Sequence, residues 1–200
     1  MQVEIRSGSV LIRGYVNAVG RDSRKLQSPK GEFVEQVRSG TWQRAIDKND
    51  DIPVLLNHDY NKKLGSTKDN LILREDNIGL LAEVRTTDAD TIAKAKAKKL
   101  VGWSFGFKRD KESWGKTDDG TERRYLEEID LKEVSLLDDS RTPAYYGTMV
   151  ESRDNDEDIC IEQRFMRDSV EYIGVEGKNE EEMKLDLENK MKLLRLELEI

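Results

Sequence analysis

Apolar and polar positions alternate near the start of the chain. Val10, Ile12 and Gly14 interleave with Leu11, Arg13 and Tyr15, and the run continues through Val16 to Ala18. A period of two predicts a half-buried strand. A polar loop follows from Gly20 to Gly31, with Ser28-Pro29-Lys30-Gly31 as turn chemistry. From about Thr41 to Asp47 the period lengthens, so that Trp42, Ala45 and Ile46 share one face of a short helix with Ser39 or Thr41 as N-cap. Val54-Leu55-Leu56 after Pro53 reads as a buried strand that delivers His58 to its end. Residues 71–84 read as a hairpin about the turn Asp76-Asn77-Ile78-Gly79.

Asp88 to Leu100 is the best helix candidate, capped by Asp88 or Asp90, with Ile92 and Leu100 inward and lysines gathered near its C-terminal end. The run Val101-Gly102-Trp103-Ser104-Phe105-Gly106-Phe107 is apolar and aromatic. A polar loop is expected around Trp114 to Gly120, and strand character resumes from Tyr125 to Leu137. Many short strands and few helices argue for an α+β, β-rich domain or a barrel over residues 1–150. Beyond it the pattern weakens. Residues 151–182, with the block Asp154-Asn155-Asp156-Glu157-Asp158, read as an acidic linker. Over 183–200, Met183, Leu187, Met191, Leu194 and Leu198 define an amphipathic helix able to pair with others.

Composition sharpens this division. Of the 200 residues 36% are hydrophobic and 38% charged, against about 45–50% and 25% in ordinary domains, so some part of the chain must be poor in core. Residues 151–200 hold 16 acidic against 8 basic side chains, which puts the net charge of −7 in the tail. The first 150 residues are nearly neutral and hold all three tryptophans. With no basic excess there, general nucleic-acid binding has little electrostatic support, and no specific nucleic-acid partner is expected. One cysteine, Cys160, precludes a disulfide within the chain and makes no metal site alone. No stretch approaches the ~20 apolar residues of a membrane helix, and Met1 to Arg6 lacks the features of a signal peptide. A soluble chain with no membrane partner is expected.

Three residues could carry chemistry. His58 is the only histidine. It is either a polar residue at a strand end or a group presented by a rigid scaffold. Ser104 lies between Trp103 and Phe105, with Gly102 and Gly106 two residues to either side. It faces either a core or a cleft, and glycines there allow another backbone, such as a substrate strand, to approach. The Gly-x-Ser-x-Gly spacing does not fit a nucleophile elbow, because the residues after Ser104 continue as strand. Glu133, inside an apolar strand, either faces solvent by alternation or holds a neighbouring imidazole. These residue types belong together chemically. A serine hydroxyl is a weak nucleophile until a base takes its proton, and a carboxylate stabilises the imidazolium that forms.

Asn57-His58-Asp59 with Leu64-Gly65, then Trp103-Ser104-Phe105-Gly106-Phe107, Leu131-Lys132-Glu133-Val134-Ser135 and Pro143-Ala144-Tyr145 together resemble the prohead (capsid maturation) proteases of tailed phages. The resemblance spans about residues 10–150. It implies a β-barrel ringed by helices, as in the related herpesvirus capsid proteases. It implies Ser104 as nucleophile and His58 as base. Herpesvirus enzymes use a second histidine, which this chain lacks; the resemblance puts an acid there, Glu133, with Asp130 as the weaker match. No cofactor or metal is implied. The expected function is a serine endopeptidase that cuts the major capsid protein, its scaffolding segment and itself. The expected place is inside the assembling procapsid, in the host cytoplasm. By the same likeness it is expected to form a homo-oligomer, a dimer. On this reading the terminal helix docks on scaffold segments or joins copies of the chain. The competing expectation is a non-catalytic scaffolding protein that acts through that helix.

Overall fold

The alternation at residues 9–18 becomes a ten-residue strand whose inward positions are Val10, Ile12, Gly14 and Val16. The computed structural model describes residues 1–140, 150–153, 160–167 and 169–174. The order of elements is β1 (Gln2–Arg6), β2 (Ser9–Ala18), β3 (Leu26–Ser28), β4 (Gly31–Val37), α1 (Thr41–Lys48), β5 (Pro53–Leu56), β6 (Asp59–Ser66), β7 (Leu71–Glu75), β8 (Gly79–Thr86), α2 (Ala89–Lys96), β9 (Leu100–Lys116), β10 (Glu122–Asp138), β11 (Val150–Arg153), β12 (Cys160–Arg167) and β13 (Glu171–Gly174).

Two mixed sheets result. The smaller has the order β13-β1-β2-β8-β7, with β13 parallel to β1. The larger runs β11-β12-β9-β10-β4-β3, with β5 added on β10 and β6 on β5. The α+β, β-rich expectation holds, but the barrel does not: among the described residues both sheets are open. The physical reason lies in β10. Its first half pairs with β4 through Glu122–Leu126 and its second half with β5 through Val134–Leu136, both in parallel. The larger sheet therefore forks along one long strand, whereas a closed barrel needs a single staggered cycle of neighbours.

One core joins the sheets. Val10, Ile12 and Val16 of β2 and Leu80, Ala82 and Val84 of β8 cluster with Trp103, Phe105 and Phe107 of β9. Trp42 of α1 joins the same cluster, edge-on to Phe105 with ring centroids 4.9 Å apart. Gly14 lets the backbone come close at this contact, since a Cβ there would lie 3.0 Å from Trp103 Nε1 and 3.1 Å from Met1 Cα.

Local expectations differ from the structure in instructive places. The α1 N-cap is neither Ser39 nor Thr41 but Gly40, at φ 82°. The orphan amides are met instead from β7, where the Glu75 carboxylate accepts from Gly40 N at 2.6 Å and Gln43 N at 2.9 Å. α2 is capped by Asp88, whose side chain accepts from Thr91 N at 2.7 Å, but it ends at Lys96. Lys98 at φ 56° turns the chain so that Leu100 begins β9. The loop expected at 114–120 shrinks to 117–121, because Trp114, Gly115 and Lys116 pair with Arg124, Arg123 and Glu122 of β10. Parts of the stretch read as a linker are strands: β12 joins the larger sheet beside β9, and β13 lies beside β1. Their pairing partners are far away in sequence, so a local pattern does not reveal them. The acidic block at 154–158 and the helix expected over 183–200 lie outside the described residues.

Candidate active site

The long hairpin β9–β10 aligns its partners in register, with Gly106 opposite Glu133 and Ser104 opposite Ser135. A register shift between Leu131 and Glu133 inserts one extra residue there. That bulge re-aims the strand. Leu131 and Val134, three apart, can then both enter the core while Glu133 turns away from it. Burial nevertheless continues on the far face: Ser104, Glu133 and Ser135 are all buried. The Gly106 position also explains its residue. A Cβ on Gly106 would stand 2.5 Å from Glu133 Oε1, so the missing side chain makes room for the carboxylate.

His58 does not end a strand; it occupies a turn. Leu56 pairs with Asp59 across a two-residue loop in which Asn57 has φ 57° and His58 φ 61°. Two left-handed residues at the centre of a tight hairpin form a type I′ turn, and Asn and His tolerate that region better than most side chains. β10 holds the turn from beneath. Asn57 N–H donates to the Leu136 carbonyl at 2.8 Å, and Asp138 N–H donates to Asn57 Oδ1 at 3.1 Å. His58 N–H donates to Ser135 Oγ at 3.2 Å.

With the turn so fixed, the imidazole lies between the other two groups. His58 Nε2 is 2.7 Å from Ser104 Oγ, and Nδ1 is 2.7 Å from Glu133 Oε1. The Ser135 hydroxyl donates to the other carboxylate oxygen, Glu133 Oε2. The hydroxyl, base and acid are thus linked in one line, and such a line can relay a proton from an alcohol to an imidazole whose cation is stabilised by a carboxylate.

This arrangement fits what is found by comparison. Residues 1–159 match the family described as Caudovirus prohead serine protease. The chain belongs to this family. It is accordingly a serine endopeptidase of capsid maturation, acting on procapsid proteins. No curated protein and no solved structure matches the chain.

In this prohead protease the two acids singled out from the sequence are separated. Glu133 is on His58, whereas Asp130 accepts from Lys132. Burial pushes the Asp130 carboxyl up, but Lys132, Asn49 and Lys48 outweigh it and leave it below the usual carboxylate range. Two residues near the site were not singled out. Ser135 bridges Glu133 and the His58 backbone; its place in the Leu131–Ser135 motif, two residues after the acid, was the available signal. Arg164 was invisible to sequence reasoning, yet its carbonyl oxygen accepts from Ser104 Oγ at 2.6 Å. Among the described residues no cluster of His, Cys, Asp and Glu is arranged to hold a metal ion, and no helix is long and apolar enough to cross a membrane. A shallow cavity of about 260 Å³ lined by Arg13, Ile72, Arg74, Leu81 and Glu83 belongs to the smaller sheet, away from these groups.

Proposed function

We propose that Ser104 is the nucleophile, His58 the general base and Glu133 the acid that orients it. The single observation behind this is the unbroken line Ser104 Oγ, His58, Glu133 with 2.7 Å at each link. In that arrangement His58 Nδ1–H donates to Glu133, leaving Nε2 free to take the Ser104 proton as Oγ bonds to a peptide carbonyl. The same imidazolium then protonates the departing amine, and water completes the hydrolysis. Ser135 is a positioning residue, since its hydroxyl holds the carboxylate and its oxygen receives the His58 amide.

Family membership supports a finer reading of the partners. The proposed substrates are the major capsid protein, its scaffolding segment and the protease itself. Cleavage takes place inside the assembling procapsid in the host cytoplasm, by a homodimer. Intact-mass measurement of particles assembled with wild-type protease and with Ser104→Ala tests this. The variant should fold, leave the capsid protein untrimmed, and lose on the order of 10⁶ in kcat on a peptide substrate. Trimming at the wild-type rate by Ser104→Ala would remove the assignment.

A further inference from the structure

The proposed nucleophile is covered by its own chain. β12 pairs antiparallel with β9 from Glu162 opposite Phe107 to Arg167 opposite Gly102, and Phe165 stands opposite Ser104. Ser104 is 1% exposed. Its Oγ meets two acceptors, the Arg164 carbonyl oxygen at 2.6 Å and His58 Nε2 at 2.7 Å. A hydroxyl has one proton to give. While His58 Nδ1–H is committed to Glu133, Nε2 is a bare acceptor, so β12 competes with the base for the proton that catalysis must remove.

β12 adds to the edge of β9 by antiparallel main-chain pairing, the way an extended peptide adds to a sheet edge. Added strands gain generic main-chain bonds from a sheet edge and specificity from side-chain pockets. Here the side chain of β12 that meets the sheet is a guanidinium seated on Glu35. Arg164 Nε donates to Glu35 Oε1 at 2.9 Å and Nη2 to Glu35 Oε2 at 3.0 Å, a bidentate pair beside the Phe107 ring. Glu162 adds a second anchor on Arg124, at 2.7 Å, and on Arg109. Arg109, Arg124 and Arg164 therefore face Glu35, Glu112 and Glu162. If β12 left, it would take Glu162 and Arg164 out of this cluster. Arg109, Arg124, Glu35 and Glu112 would remain balanced among themselves, so the groove stays electrostatically even without it. The family match ends at residue 159, one residue before β12 begins.

We infer that β12 is an intramolecular peptide lying in the substrate groove, and that Glu35 reads a basic side chain at the position whose carbonyl meets Ser104. The inference rests on Ser104 being the nucleophile. It makes the full chain a latent enzyme until β12 is displaced, and it assigns the preferred substrate as an extended segment carrying arginine at that position.

The test uses the full chain and a fluorophosphonate probe, with labelling at Ser104 followed by peptide mapping. Wild type should label slowly. Arg164→Glu, which sets two carboxylates against each other, should label at least about tenfold faster, the scale of losing a charge-assisted hydrogen bond. Arg164→Lys should fall between them, and it decides the matter if circular dichroism shows the Glu variant unfolded. A synthetic peptide of sequence 159–168 should slow labelling of the opened variants, and the same peptide with its central arginine replaced by glutamate should not. Equal labelling rates in wild type and both variants overturn the inference while leaving Ser104 as nucleophile. Labelling that persists undiminished in Ser104→Ala overturns the nucleophile reading and the inference with it.

Discussion

At the residue scale the site depends on small side chains placed where a larger or apolar one would break the line. Gly106 is the sharpest case, because Glu133 Oε1 already fills the space a Cβ would need. The carboxylate cannot simply swing aside, since Ser135 and His58 hold its two oxygens. Gly106→Ala should therefore leave the protein folded while lowering kcat by about 10²-fold or more, the usual consequence of misplacing a catalytic group by an ångström. Circular dichroism alongside steady-state kinetics separates the two effects. Ser135→Ala should act through the same acid. It removes the donor to Glu133 and the acceptor for the His58 amide, and should lower kcat by about 10²-fold with KM little changed. A purely structural role would instead lower the melting temperature and leave kcat of the folded fraction intact.

At the scale of elements, the turn 57–58 and strand β12 are placed by long-range partners. The turn presents the imidazole because β10 bonds to it in three places. β12 is held by ion pairs, which makes it responsive to acid. Burial pushes the Glu162 carboxyl up, but Arg124 and Arg164 outweigh burial and hold it below its ordinary value. A carboxylate with a depressed folded-state value adds stability above its unfolded value, about 4.3, and loses it as pH falls through the folded one. Acidification from pH 6 to about pH 3 should therefore release β12 before the hairpin β9–β10. Hydrogen exchange across this range checks it: amides at 160–167 should lose protection first. Simultaneous loss in both segments would show that the ion pairs do not set the strength of this contact.

At the scale of the whole molecule, one aromatic cluster ties the helix, both sheets and the site together. Trp42 is fully buried and packs edge-on against Phe105, which is the neighbour of Ser104 in sequence. Trp42→Ala should cost about 3–5 kcal/mol, measurable as a lower urea midpoint with an unchanged slope. It should also reduce activity below the loss expected from unfolding alone, since Phe105 then loses the ring that fixes its strand against α1. The charge division has meaning at this scale too. Among the described residues the buried core cluster lies between Met1 and Leu136, and the acidic surplus of the sequence lies beyond residue 150.

Much of this was legible in the chain itself. Periodicity of two and of 3.6 reports local burial, so β2, α1, β5, the β7–β8 hairpin and the existence of α2 follow from it. His58 and Ser104 were legible as candidates because serine needs a base, and Glu133, with Asp130 as the weaker match, came from the family resemblance. What local pattern could not carry was anything decided by partners far apart in sequence. The α1 cap comes from Glu75 on β7. The fork of the larger sheet comes from two strands sharing β10, and so the barrel does not close. Only the pairing of β5 with β10 brings Glu133 and not Asp130 to His58, and only that of β9 with β10 brings Ser104 beside them. Only the pairing of β12 with β9 brings the Arg164 carbonyl onto Ser104. A strand's own alternation states which face is buried, but its hydrogen-bonding edges carry no mark of the neighbour they will accept.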